Sequence, residues 1–153
     1  MTREALLAAF EPLVAAAVST DLSAPDAAER VAAALSADAH EALVDGLRAA
    51  HAEGWLTPKR SPEGIGFGRL LKPAESAHGA SIDVVDMRDV AGAPHTHPNG
   101  EVSLCVPLTR APTFEGRAEG IVVMPPGSRH VPETRGGRML IAYLLPGGAM
   151  TWG

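Results

Sequence analysis

Residues 94–101 read Pro94-His95-Thr96-His97-Pro98-Asn99-Gly100-Glu101, with imidazoles at 95 and 97 and a carboxylate at 101. In extended backbone, residues two apart project to one face, so His95 and His97 present both rings to the same side. Glu101 lies four beyond His97, and its carboxylate returns to that side if the strand stays regular across Pro98–Gly100 or turns there. Two neutral imidazoles and one carboxylate suit a divalent first-row ion, and a fourth donor would nearly complete the inner shell. That donor is available downstream in Gly120-Ile-Val-Val-Met-Pro125-Pro126-Gly127-Ser-Arg-His130, where a strand ends in a Pro-Gly turn and a histidine follows.

The chain around these motifs has two grammars. Residues 1–53 hold only one of the 16 glycines (Gly46) and two of the 13 prolines (Pro12, Pro25), and are rich in Ala, Leu and Glu. Leu6, Leu7, Phe10, Leu13, Val14 and Val18 recur at spacings of three and four and mark a first helix. Ser23 with Asp26 resembles a capping arrangement for a short second helix through Val31, Ala34 and Leu35. A third helix is predicted from about Asp38 to Glu53, with Leu43, Val44, Leu47 and Ala50 on its buried side and Gly54 as its stop. These helices read as a cap or a dimerisation element, with Ala-rich seams suited to a partner subunit. Residues 55–66 read as a linker. Beyond it, apolar or alternating runs at 67–71, 81–87, 101–108, 119–124 and 138–145 are separated by Gly/Pro clusters, the pattern of an antiparallel barrel or sandwich. The predicted organisation is one structural unit: a helical extension over 1–55, then a β-barrel over 56–153.

Composition narrows the function. At 153 residues, with 46% hydrophobic and 20% charged, the chain can bury a core. Glu4, Glu11 and Asp21 interrupt the apolar start, so no membrane span is expected, and the absence of a basic n-region makes a cytoplasmic location the expectation. Net charge is −5 with no Lys/Arg stripe, which argues against nucleic acid as partner. The single Cys105 excludes a disulfide framework and a Cys-rich zinc site within one chain.

The two motifs, carried by His95, His97, Glu101, Gly120, Pro125, Gly127 and His130, resemble the paired motifs of the cupin superfamily. That resemblance implies a double-stranded β-helix barrel with a three-His, one-Glu metal centre in its mouth. One position departs from it: the first motif opens with glycine six residues before the first histidine, and residue 89 is Asp. Arg69-Leu70-Leu71-Lys72-Pro73, residues 95–101, Pro125-Pro126-Gly127-Ser128-Arg129-His130 and Leu144-Leu145-Pro146-Gly147-Gly148 further resemble the 4-hydroxylaminobenzoate lyase family. The family implies conversion of 4-hydroxylaminobenzoate and water to 3,4-dihydroxybenzoate (protocatechuate) and ammonia in bacterial nitroaromatic degradation. Where that family has a bulky aromatic between Pro98 and Gly100, this chain has Asn99.

On this reading His95, His97, Glu101 and His130 hold one divalent ion, which could be Fe, Mn, Zn, Ni or Co. Glu101 or Glu133 is the candidate proton shuttle. An aromatic carboxylate calls for an arginine fork, and Arg69 shares strand parity with Phe67 and Leu71, so it is the candidate clamp. Ser103 and Tyr143 are candidate pocket residues, Cys105 a small buried hydrophobe, and Gly136-Gly137 and Gly147-Gly148 turns. His40 and His51 are expected on exposed helix faces. The expected partners are a small aromatic substrate and a second copy of the chain in a homodimer. An Fe(II) cupin dioxygenase, consuming dioxygen with the same ligands, and a non-catalytic small-molecule-sensing cupin are the alternatives.

Overall fold

The computed structural model describes residues 1–153. Three helices come first: α1 (Arg3–Ser19), α2 (Ala27–Ala32) and α3 (Ala37–Ala52). Thr2 and Ser36 cap α1 and α3, each hydroxyl accepting a backbone N–H three residues on at 3.1 Å. Ser23 does not cap α2. Its hydroxyl and backbone N–H both turn to Asp21, and the helix begins past Asp26 and spans only six residues.

Ten strands follow: β1 (Lys59–Arg60), β2 (Gly66–Leu71), β3 (Ser81–Ala91), β4 (His95–His97), β5 (Glu101–Pro107), β6 (Thr113–Phe114), β7 (Gly120–Met124), β8 (Ser128–His130), β9 (Glu133–Leu145) and β10 (Thr151–Trp152). The larger sheet runs β1-β2-β3-β9-β5-β7 with β6 on β9, the smaller β10-β4-β8. Every pairing is antiparallel. The protein is mainly β with its helices in front, as the apolar runs predict. The 55–66 segment is not wholly irregular, because β1 adds an edge to β2.

Both faces of the larger sheet are covered. Ile82, Val84, Leu104, Leu140 and Leu144 share one buried cluster with Leu6, Phe10, Leu43 and Leu47 of the helices. Met87, Cys105, Phe114, Val122, Met139 and Ile141 form a second cluster toward the barrel interior. A strand apolar on both faces loses the period-two alternation, which is why Met139–Leu145 reads as a continuous apolar run. The helices therefore cover the sheet of their own chain, and none is long and apolar enough to cross a membrane.

A polar contact fastens helix to sheet. His51, expected on an exposed face, sits 2.9 Å from Asp86 of β3 through Nε2, and Arg138 of β9 grips the same carboxylate at 2.8 and 2.5 Å. Burial would raise the Asp86 carboxyl, but Arg138 and His51 outweigh it and hold it below the ordinary range. His51 faces inward because α3 lies against the barrel, a relation that helix periodicity alone does not reveal.

Gly136-Gly137 is not a terminal turn. It lies inside β9, facing a register break between Arg88 and Val90 on β3. At that break Asp89 has φ 43°, and its Oδ1 accepts the Gly137 N–H at 3.1 Å. This explains the departure at position 89: the bulge needs left-handed backbone, and Asp tolerates it better than most side chains while adding a cross-strand bond.

Phe10→Ala empties a fully buried site between α1 and the sheet, and should lower unfolding free energy by about 3–5 kcal/mol in urea melts.

Candidate metal centre

Two short strands of the smaller sheet supply three imidazoles. In the β4–β8 pairing His95 lies opposite His130 and His97 opposite Ser128. The chain turns after His97, with the Gly100 N–H returning to the His97 carbonyl at 3.1 Å, and β5 starts at Glu101. Gly100 has φ 83°, and a Cβ there would lie 2.8 Å from the Met124 carbonyl oxygen, so no larger residue fits. Gly127, at φ 80°, donates its N–H to the same His97 carbonyl at 2.8 Å and ties the second motif to the first. Asn99 reaches from the turn to the Pro146 carbonyl at 3.1 Å, which anchors the motif to the Pro146-Gly147-Gly148 corner.

The donors converge. One ligand atom from each of His95, His97, Glu101 and His130 lies within 4.8 Å of all the others. His97 Nε2 is 2.9 Å from His130 Nε2 and 2.5 Å from Glu101 Oε2, and His130 Nε2 is 3.1 Å from His95 Nε2. His97 is fully buried, and His95 and Glu101 are nearly so. His95 Nδ1 lies 3.0 Å from the Ala93 carbonyl, which places its proton there and leaves Nε2 a bare lone pair facing the cluster. Three imidazole nitrogens and a carboxylate oxygen cannot satisfy one another with the few protons available. A divalent ion with bonds of about 2.0–2.2 Å has neighbouring donors about 3 Å apart, so the donor set fits such a cation.

The electrostatics agree. Burial, with His97 and His130 nearby, pushes His95 below its ordinary 6.5 despite the bond to Ala93, so the ring stays neutral. Burial alone would raise Glu101, but the contacts with His97, Ser103 and His130 outweigh it and hold the carboxyl below its ordinary 4.5. An ionised Glu101 suits a metal ligand better than a proton donor.

The cluster opens on a cavity of about 370 Å³ lined by His95, Glu101 and His130 and by apolar side chains including Phe67, Val85, Met87 and Ile141. No Lys or Arg lines it. Tyr143 does, and its hydroxyl has no protein hydrogen-bond partner. Burial, with Asp83 and Glu101 nearby, pushes that phenol well above its ordinary value, so it remains a donor. Ser103 is fully buried and gives its hydroxyl to Glu101 Oε1, so it braces a ligand instead of lining the pocket. Arg69 is outside the cavity lining, held by Asp83 at 2.9 and 3.1 Å. Glu133 is also outside it, paired with Arg135. Burial pushes the Cys105 thiol up to about 12, as befits a packing residue and not a nucleophile.

Three neighbours of the site were not picked out from the sequence. Trp152 of β10 meets the His95 ring edge-on at 5.4 Å, Asp83 captures Arg69, and Glu115 places Oε2 3.3 Å from His130 Nδ1. No local motif marks them, because each is brought in by a strand pairing or a hairpin.

Barrel topology, the two motifs and the four-donor cluster define a cupin with a candidate metal centre. The chain belongs to the 4-hydroxylaminobenzoate lyase (PnbB) family, whose model matches residues 24–152. A 4-hydroxylaminobenzoate lyase of Nocardioides sp. (strain LMS-CY) is 34% identical over 91 residues, covering 55% of this chain and 54% of that protein. One of Pseudomonas putida is 28% identical over 126 residues, covering 72% and 69%. The match thus spans about half the length of the first relative. Among solved structures, an RmlC-like cupin from Ralstonia eutropha aligns over 57% of this chain and 60% of that one at 13% identity and TM-score 0.43. Recombinant oxalate oxidase in complex with glycolate aligns over 63% and 61% at 19% identity and TM-score 0.46.

His97→Ala should abolish retention of a stoichiometric divalent ion by elemental analysis while the protein stays folded. The metal-free protein should also lose stability as pH falls below about 6.5, because the unfolded chain then takes up a proton that folded His95 resists. Denaturation midpoints should fall from pH 8 to pH 5, and fall less in His95→Asn.

Proposed function

We propose that this protein is a metal-dependent carbon–nitrogen lyase that converts 4-hydroxylaminobenzoate, or a related aryl hydroxylamine, to 3,4-dihydroxybenzoate or the corresponding catechol with release of ammonia. One observation carries the reading: a buried three-His, one-Glu cluster opens directly on an apolar cavity of a size to take one benzene ring. Family membership supports the choice of substrate class. The overall change, aryl hydroxylamine plus water to catechol plus ammonia, balances in atoms and electrons without an external oxidant or reductant.

His95, His97, Glu101 and His130 would hold the ion. A divalent cation there would supply Lewis-acid stabilisation of negative charge developing on a substrate oxygen. The chain's own contributions follow from the cavity. Phe67, Val85, Met87 and Ile141 bury the ring and exclude bulk water from it. The protonated Tyr143 hydroxyl, lacking a protein acceptor, donates to a polar group of the substrate. Ser103 keeps Glu101 oriented. With no Lys or Arg in the cavity lining, a ring carboxylate would lie toward the open mouth of the cavity, and Arg69, paired with Asp83 outside the lining, does not clamp it.

Purified protein incubated with 4-hydroxylaminobenzoate should produce ammonia and 3,4-dihydroxybenzoate in equal amounts, with no dioxygen uptake. Chelation should stop turnover and a divalent ion restore it. Dioxygen consumption with a catechol, and no ammonia, would instead support a dioxygenase.

A further inference from the structure

The three histidines of the cluster are not held alike. His95 has its Nδ1 fixed by the Ala93 carbonyl. His130 has its Nδ1 buried without a hydrogen bond, and the nearest charged group is the Glu115 carboxylate, Oε2 at 3.3 Å. The separation is within hydrogen-bond reach, but the N–H of the ring is not aligned on the carboxylate oxygen. Both side chains are largely buried, at 10% and 19% exposure, and His130 Nδ1 itself is shielded from solvent.

Glu115 is brought there by a feature that needs an explanation. It occupies the tip of a hairpin between Phe114 and Arg117, closed by reciprocal backbone bonds of 2.8 and 2.9 Å. Both central residues are left-handed, Glu115 at φ 53° and Gly116 at φ 76°. Glycine, Asn or Asp is the usual occupant of the first such position, and a long acidic side chain there carries a conformational cost. The carboxylate is also tied from its other end, with Oε1 accepting the Glu133 N–H at 2.9 Å. That bond leaves Oε2 aimed at the imidazole.

We propose that Glu115 is the positioning residue of His130. Its carboxylate accepts the Nδ1 proton, fixes the ring as the tautomer with Nε2 bare, and raises the basicity of that nitrogen toward the cation. Metal-ligating histidines are commonly held in this way by a carboxylate or carbonyl, and losing such a partner typically weakens metal affinity 10–100-fold. Glu115 does not itself line the cavity, so it acts through His130 and not on the substrate. The proposal rests on the metal-centre reading above.

The test reads metal affinity without substrate. Metal-free wild type, Glu115→Gln and Glu115→Gly are titrated with Zn²⁺ against a chromophoric chelator, with folding checked by circular dichroism. Glycine suits the φ of this turn, so Glu115→Gly keeps the turn while removing the carboxylate and with it the bond to the Glu133 N–H. Its Zn²⁺ affinity should fall about 10–100-fold, with Glu115→Gln, which retains an acceptor oxygen, in between. Nitrogen-15 spectra of the His130 ring should show the proton on Nδ1 in wild type and Glu115→Gln, and a mixture of tautomers in Glu115→Gly. A Glu115→Gly affinity within about twofold of wild type, or an unchanged tautomer, overturns the role of Glu115 and leaves the metal centre standing. Wild type that binds no Zn²⁺ overturns both.

Discussion

Three imidazole nitrogens and one carboxylate oxygen crowd within 4.8 Å of one another at one buried place, and several of the barrel's smaller features hold that arrangement. Without a cation it is an unfavourable juxtaposition, because buried acceptors facing one another lose water and gain no donors. The fold resists it with rigid backbone. The turn through Gly100 and the Gly127 N–H both fasten to the His97 carbonyl, Ser103 braces Glu101, and the β10 strand closes over β4 with Trp152 against His95. A site that is preorganised in this way avoids paying for reorganisation when its ligand arrives.

Rigidity of this kind needs support from elsewhere in a chain of 153 residues. The larger sheet obtains it by burying both faces, the outer against the helices and the inner around the cavity. The two faces then divide the work. The outer is almost wholly aliphatic, broken by the Asp86–Arg138–His51 contact that joins helix to strand. The inner carries Asp83, Glu101, Ser103 and Tyr143 among apolar neighbours, so the polar groups needed for chemistry sit in surroundings that shift their protonation. Moving the helices off the sheet would expose the aliphatic face and loosen the strands that hold Glu101 and Tyr143.

The elements that were legible in the sequence are those whose physics is local. Helix periodicity over residues 3–19 and 37–52, the apolar runs of the long strands and the His95/His97 parity all follow from the direction in which successive side chains project. The turn that returns Glu101 to the histidines needs only Pro, Asn and Gly in a row. The Ser23 cap and the Gly136-Gly137 turn were misread because neighbours outside the local stretch compete for them: Asp21 takes the serine, and the strand partner Asp89 makes the glycines a bulge.

The amino-acid order by itself thus determined the barrel class, the helices in front of it and the four side chains that could share an ion, since each is written in spacing along the chain. Only tertiary structure decided that His51 faces inward, that Arg69 is occupied by Asp83, and that Glu115 stands behind His130. The reason is separation. These contacts join residues distant in the chain through strand register and helix docking, and neither is encoded in any short window.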